Sequence, residues 1–155
     1  MATQPMQFSD SVSVSAEIER VWDVLNDAQS IGSCIPGLEA VEIYEEGVSF
    51  GGTARVNLGT SALSFPARIT WVEQNAPHGG RLQALVKLAG FEIEGYGNVA
   101  LREAESAGTD IRWDAAVHMP EKLAGNPLMV QMARMFASRF IESFFQCLLV
   151  RLSAV

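Results

Sequence analysis

Acid–base and nucleophilic chemistry needs a carboxylate, histidine, lysine, cysteine or activated hydroxyl held against the reacting atoms, and this chain carries few such groups in a useful pattern. Arg112, Asp114 and His118 are separated by even numbers of residues, so on a strand they share one face, a set that would suit a hydrolase or a cyclase if that face pointed inward. With Trp113, Ala115 and Val117 between them, the charged phase reads as the solvated one and His118 as a surface histidine. His78 sits in a turn beside Pro77 and Gly79. Cys34 precedes Ile35-Pro36-Gly37 without an adjacent base and reads as an inert, partly buried thiol. Asp10 reads as an edge or surface carboxylate. Gly90, Gly95 and Gly97 are not followed by the Lys-Ser/Thr or helix that a phosphate loop requires. Neither Cys34 nor Cys147 belongs to a CxxC or a Cys/His cluster, so the sequence implies no metal, no cofactor and no catalytic residue.

The elements that position these residues follow from periodicity. Phe8, Asp10, Val12 and Val14 alternate with serines, which predicts a half-buried strand over 8–14. At Ser15, placed to cap, the period changes to that of a helix carrying Ile18, Val21, Trp22 and Leu25, with a weaker helical turn over 27–33. Pro36-Gly37 enforces a turn. Strands are expected over 38–45, 48–58, 62–74, 80–89, 91–103 and 110–119, joined by short turns that favour an antiparallel meander. After Pro120 comes a polar connector; Asn126 then caps and Pro127 opens one long helix, with Met129, Ala133, Phe136, Phe140, Phe144 and Cys147 centring its apolar face.

Alternation within the strands sorts their side chains. The inward sets include Phe65, Ile69, Leu82, Ala84, Val86, Leu88, Phe91, Ile93, Gly95, Gly97, Trp113, Ala115 and Val117, none ionisable, whereas Arg55, Arg68, Arg81, Lys87, Glu92, Glu94, Arg102, Arg112, Asp114 and His118 take the opposite phase. Inward glycines remove volume and bend strands. The expected fold is therefore α+β of the helix-grip type: a curved seven-stranded antiparallel sheet wrapped around a long C-terminal helix, with two short helices after the first strand.

Composition limits the partners. At 155 residues without repeats or linkers, the chain is expected to form one domain over 1–155. A formal charge of -7 with no basic patch argues against nucleic acid. No signal-like N-terminus and no long apolar run is present, and two cysteines do not make a disulfide framework, so a reducing cytoplasm is the expected setting.

The order strand, short helices, six strands, long helix, with Val21-Trp22 and Leu25, resembles the START and polyketide-cyclase (SRPBCC) superfamily across nearly the whole chain. Val21-Trp22-Asp23-Val24-Leu25-Asn26-Asp27, Cys34-Ile35-Pro36-Gly37 and Ala89-Gly90-Phe91 resemble the G-subunit family of carbon monoxide dehydrogenase, most specifically in the cysteine-aliphatic-Pro-Gly element. The resemblance implies an apolar cavity for a lipid or a quinone-like molecule. It further implies service to molybdenum hydroxylases such as carbon monoxide dehydrogenase, and peripheral contact with the inner face of the membrane. On these grounds the expected ligand contacts are Phe65, Ile69, Leu88, Phe91, Trp113 and Val117 from the sheet and Met129, Ala133, Phe136 and Phe140 from the helix. An empty void of about 300 Å³ would cost about 7 kcal/mol, which rivals the stability of a domain, so a cavity of that size would normally be filled. Two other readings stand beside the noncatalytic carrier: a cyclase, dehydratase or hydrolase, which requires a one-residue register slip turning His118 inward, and a protein-docking or membrane-recruitment role using Phe145 and Leu149 near the polar arc of the long helix.

Overall fold

A computed structural model describes residues 5–57, 60, 62–88, 90–105 and 107–153; at positions 56, 57, 88, 123, 129, 132, 136 and 153 it describes the backbone alone. The chain opens with β1 (Met6–Val14), followed by α1 (Ile18–Leu25) and α2 (Ala28–Cys34). Six strands follow: β2 (Leu38–Glu45), β3 (Ser49–Asn57), β4 (Ala62–Asn75), β5 (Gly79–Leu88), β6 (Phe91–Glu103) and β7 (Thr109–His118). A four-residue helix, α3 (Glu121–Ala124), precedes α4 (Pro127–Ser153). The seven strands form one antiparallel sheet in the order β1-β7-β6-β5-β4-β3-β2. This is the expected helix-grip architecture.

Local sequence explains most boundaries. Ile18, Val21, Trp22 and Leu25 recur at helical spacing and all are buried, so α1 is held by one apolar stripe rather than by its caps. Ser15 does not cap it: Glu17 takes the N-cap position without a side-chain bond. The backbone between β1 and α1 is fixed instead by the Thr109 hydroxyl, which donates to the Ala16 carbonyl at 2.8 Å. α2 ends at Cys34, and Gly37 then turns the chain with a positive φ of 81°, where a Cβ would collide with the Arg55 carbonyl. At the start of α4, the Asn126 side chain accepts from the Leu128 N–H at 3.0 Å and Pro127 occupies the first turn, as the sequence predicts.

The closed core lies where α1, α2 and the C-terminal half of α4 meet one end of the sheet. Val21, Ile31, Phe50, Leu101 and Ile111 form it with Leu148 and Leu152, and Trp22 packs on Trp71 with ring centroids 5.3 Å apart. Two further features depart from the sequence expectation. β1 begins at Met6, which is buried, rather than at Phe8. The buried face of α4 is rotated from the predicted one towards Leu148 and Leu152; a helix apolar over so much of its circumference does not choose its own inward direction, and the cluster it docks against makes the choice.

Candidate functional site

Strand register determines what the concave face offers. One cross-strand row runs Val117, Gly95, Ala84, Ile69 and Phe50; the next runs Ala115, Gly97, Leu82 and Trp71. Within these rows Val117, Gly95, Ala84, Ala115, Gly97 and Leu82 are only half-buried, although none is polar. α4 packs most closely on α1, α2, α3 and β1, and in its N-terminal half the Arg134 guanidinium lies 6.0 Å from the ring centre of Phe8, which pairs with Ala115 at the edge of the floor. Leu128 and Met135 on that half are 64% and 53% exposed. The two glycines widen the space: a Cβ on Gly97 would find no heavy atom closer than 3.8 Å, and one on Gly95 none closer than 3.5 Å.

The predicted contacts fall into three groups. Phe65, Phe91, Trp113 and Val117 lie on inward strand positions and are half-buried. Ile69 and Phe140 are half-buried against the closed core, and Ala133 on α4 is half-buried. The side chains of Leu88, Met129 and Phe136 lie outside the described residues. Trp113 meets Phe145, the two rings stacked with centroids 4.8 Å apart, and Phe144 abuts Phe145 edge-on at 5.4 Å. Phe145 is therefore a half-buried strut between α4 and the sheet and not a docking residue on the polar arc.

The opposite face carries the charges. Glu94 pairs with His118 and Asn98 with Asp114 in the ladder, which fixes Arg112, Asp114 and His118 on the convex side, where all three are exposed. The register slip required by an enzymatic reading is absent. These polar groups satisfy one another: Asn98 donates to Asp114 at 2.9 Å, and Gln83 donates to Glu94 at 3.2 Å and to the Tyr96 oxygen at 3.3 Å. The guanidinium of Arg81 lies 4.6 Å from the Tyr96 ring centre. Hydrogen bonding from Tyr96, with Gln83 adding to it, holds the Glu94 carboxyl below its ordinary range; the same bond to Glu94 raises the Tyr96 hydroxyl.

A family profile for the G subunit of carbon monoxide dehydrogenase (CoxG) matches residues 11–153. The chain belongs to the CoxG family. Solved structures confirm the fold of this CoxG-family chain. A conserved protein from Geobacillus kaustophilus superposes with a TM-score of 0.81 at 17% identity, covering 96% of this chain and 95% of that one. A Chromobacterium violaceum protein gives 0.70 at 13% identity over 97% and 100% of the two chains. A putative uncharacterized protein from Rhizobium leguminosarum gives 0.66 at 13% identity over 96% and 95%. A search of curated proteins returns no match.

Two surface depressions lie elsewhere on this CoxG-family protein. One of about 340 Å³ is lined by Glu17, Ile18, Glu19, Glu103, Ala104, Ala107 and Gly108; the other, about 370 Å³, lies among Arg20, Asp23, Val24, Asp27, Ser30 and Arg151. Neither includes a predicted ligand contact. No cluster of metal-ligating side chains occurs among the described residues, and no described helix is long and apolar enough to cross a membrane.

Cys34 is not the inert free thiol that the sequence suggests. It forms a disulfide with Cys147, 113 positions along the chain, with Cα atoms 5.4 Å apart. The bond joins the end of α2 to the inner face of α4. Cys147 stands on the predicted apolar arc of the long helix and Cys34 in the most specific family element, but no spacing rule pairs residues so far apart. Only the docking of α4 does so.

Proposed function

We propose that this CoxG-family chain is a noncatalytic carrier of a hydrophobic small molecule, a lipid or a quinone-like compound. The ligand lies between the concave face of the sheet and α4, against Phe65, Ile69, Leu88, Phe91, Trp113, Val117, Met129, Ala133, Phe136 and Phe140. The observation that carries this reading is a floor with no ionisable side chain in its central rows, whose members on β5, β6 and β7 are nevertheless only half-buried. Apolar surface of that kind gains free energy when an apolar ligand displaces water from it, at about 25 cal/mol per Å² removed from water. Its chemistry suits transport and not turnover, since His118, Asp114 and Glu94 lie on the far side of the sheet, and Asp10, which pairs with Trp113, stands exposed on the edge strand β1. The whole chain acts as a single binding domain.

Family membership extends the reading to a destination. The carrier serves a molybdenum hydroxylase of the carbon monoxide dehydrogenase kind, in the cytoplasm and at the inner face of the membrane, exchanging its ligand between the bilayer and the enzyme. Native mass spectrometry of the purified chain, with organic extraction of what copurifies, tests the reading directly. A stoichiometric isoprenoid or lipid supports it. If nothing copurifies and added decylubiquinone and fatty acids do not bind, the carrier function is excluded.

A further inference from the structure

The Cys34–Cys147 disulfide occupies a particular place: it covalently fixes the C-terminal half of α4, which carries the buried Leu148 and Leu152, to the end of α2. From the structure we infer that this disulfide is a redox-sensitive clip that controls how firmly α4 closes over the site, so that reduction speeds release of the ligand. The inference rests on the carrier reading for its consequence but not for its mechanics.

Three observations support it. The bond joins α2 to α4, and it lies just beyond Phe145, which stacks on Trp113 and is met edge-on by Phe144. One further turn on, the Arg151 side chain donates to the Ser33 hydroxyl beside Cys34, and the Arg151 carbonyl accepts from Arg20 at 3.4 Å. α4 therefore retains noncovalent tethers and its buried Leu148 and Leu152 after reduction, which makes the change a loosening and not an unfolding. The two cysteines are also unequally covered: Cys34 is 3% exposed, whereas Cys147 is half-buried.

The chemistry balances with a dithiol protein or small dithiol as reductant. Its thiolate attacks the Cys147 sulfur, forming a mixed disulfide and expelling Cys34 as a thiolate, which takes up a proton. The reductant's second thiol then attacks its own bonded sulfur, freeing Cys147 as the second thiol and leaving the reductant as a disulfide. Two electrons and two protons pass to the protein. Disulfides in reducing compartments are typically of this transient kind.

The test compares the oxidised full-length chain, the same chain treated with dithiothreitol, and the Cys34→Ser/Cys147→Ser double variant. Peptide mapping without reductant identifies the cross-link. Hydrogen exchange then reports on α4 and stopped-flow displacement on decylubiquinone dissociation. The expected result is exchange in the C-terminal half of α4 faster by at least ~10-fold on reduction, with exchange in the central strands little changed, and decylubiquinone leaving at least ~10-fold faster. Absence of the cross-linked peptide, or α4 exchange indifferent to dithiothreitol, overturns the clip. A loosened α4 with an unchanged dissociation rate overturns its control of release. If decylubiquinone binds neither form, the quinone-carrying reading fails, while α4 exchange in the wild-type chain still decides the clip. Should the double variant fail to fold, the dithiothreitol arm on the wild-type chain carries the comparison.

Discussion

The same strands behave differently at their two ends. On β7, Ile111 is 1% exposed, but Val117 on the same inward face is half-buried; on β6 the contrast recurs between Leu101 and Ile93, and on β4 between Trp71 and Phe65. Nothing in side-chain type separates these pairs, since each member is apolar and inward. What differs is the cover. α1, α2 and the last turns of α4 close one end, with Leu148 fully buried (0% exposed), whereas the inward residues at the other end stay half-buried. One end of the sheet is a core and the other a floor, and the inward phase of a strand identifies both without telling them apart.

That contrast can be broken most severely at the closed end. Leu148→Ala should cost about 2–5 kcal/mol in a urea titration, as for other fully buried leucines, while Val117→Ala should cost under about 1 kcal/mol. Equal losses would mean that the floor is ordinary core. Removing the cross-link by Cys147→Ser should lower stability by about 2–4 kcal/mol, from the length of loop it closes. A loss confined to chemical denaturation of the oxidised wild type, with the reduced wild type matching the variant, would tie the whole effect to the bond.

At the open end the expected effect is on binding rather than folding. Gly97→Leu adds a side chain to the floor at a position where a Cβ meets no close neighbour, so it should weaken decylubiquinone binding by at least ~10-fold, about 1.4 kcal/mol, with little change in thermal unfolding. Full affinity in that variant would move the site away from the central floor. The smallest effect belongs to the convex face. Glu94 has a depressed folded value, so its contribution to stability is complete above the ordinary glutamate range and lost as pH falls through the depressed value. Tyr96→Phe removes the donor chiefly responsible and should flatten this slight acid-side slope in urea midpoints measured between about pH 6 and pH 3. Ligand affinity should not respond, because the pair lies on the other side of the sheet.

Most of the architecture was legible in the sequence because it is set by periodicity. The alternation of Leu82, Ala84 and Val86 with Arg81, Gln83 and Lys87 dictates which face is inward, and Asn126-Pro127 announces the long helix. The same alternation placed His118, Asp114 and Arg112 outward, where the register holds them. Errors arose where the decision was nonlocal. α4 is apolar round much of its surface, so a helical wheel could not show that Phe145 would stack on Trp113, nor that Leu148 and Leu152 would centre the buried face. Ser15 was an apt cap by composition, yet Thr109, far along the chain, holds that junction.

By itself, then, the sequence determined the elements, their order, the apolar phase of each strand and the family to which the chain belongs, because backbone geometry converts residue spacing into faces. Only the tertiary structure decided which part of the apolar face would be covered and that Cys34 would meet Cys147. Both depend on where one long helix comes to rest, a matter of packing between residues more than a hundred positions apart.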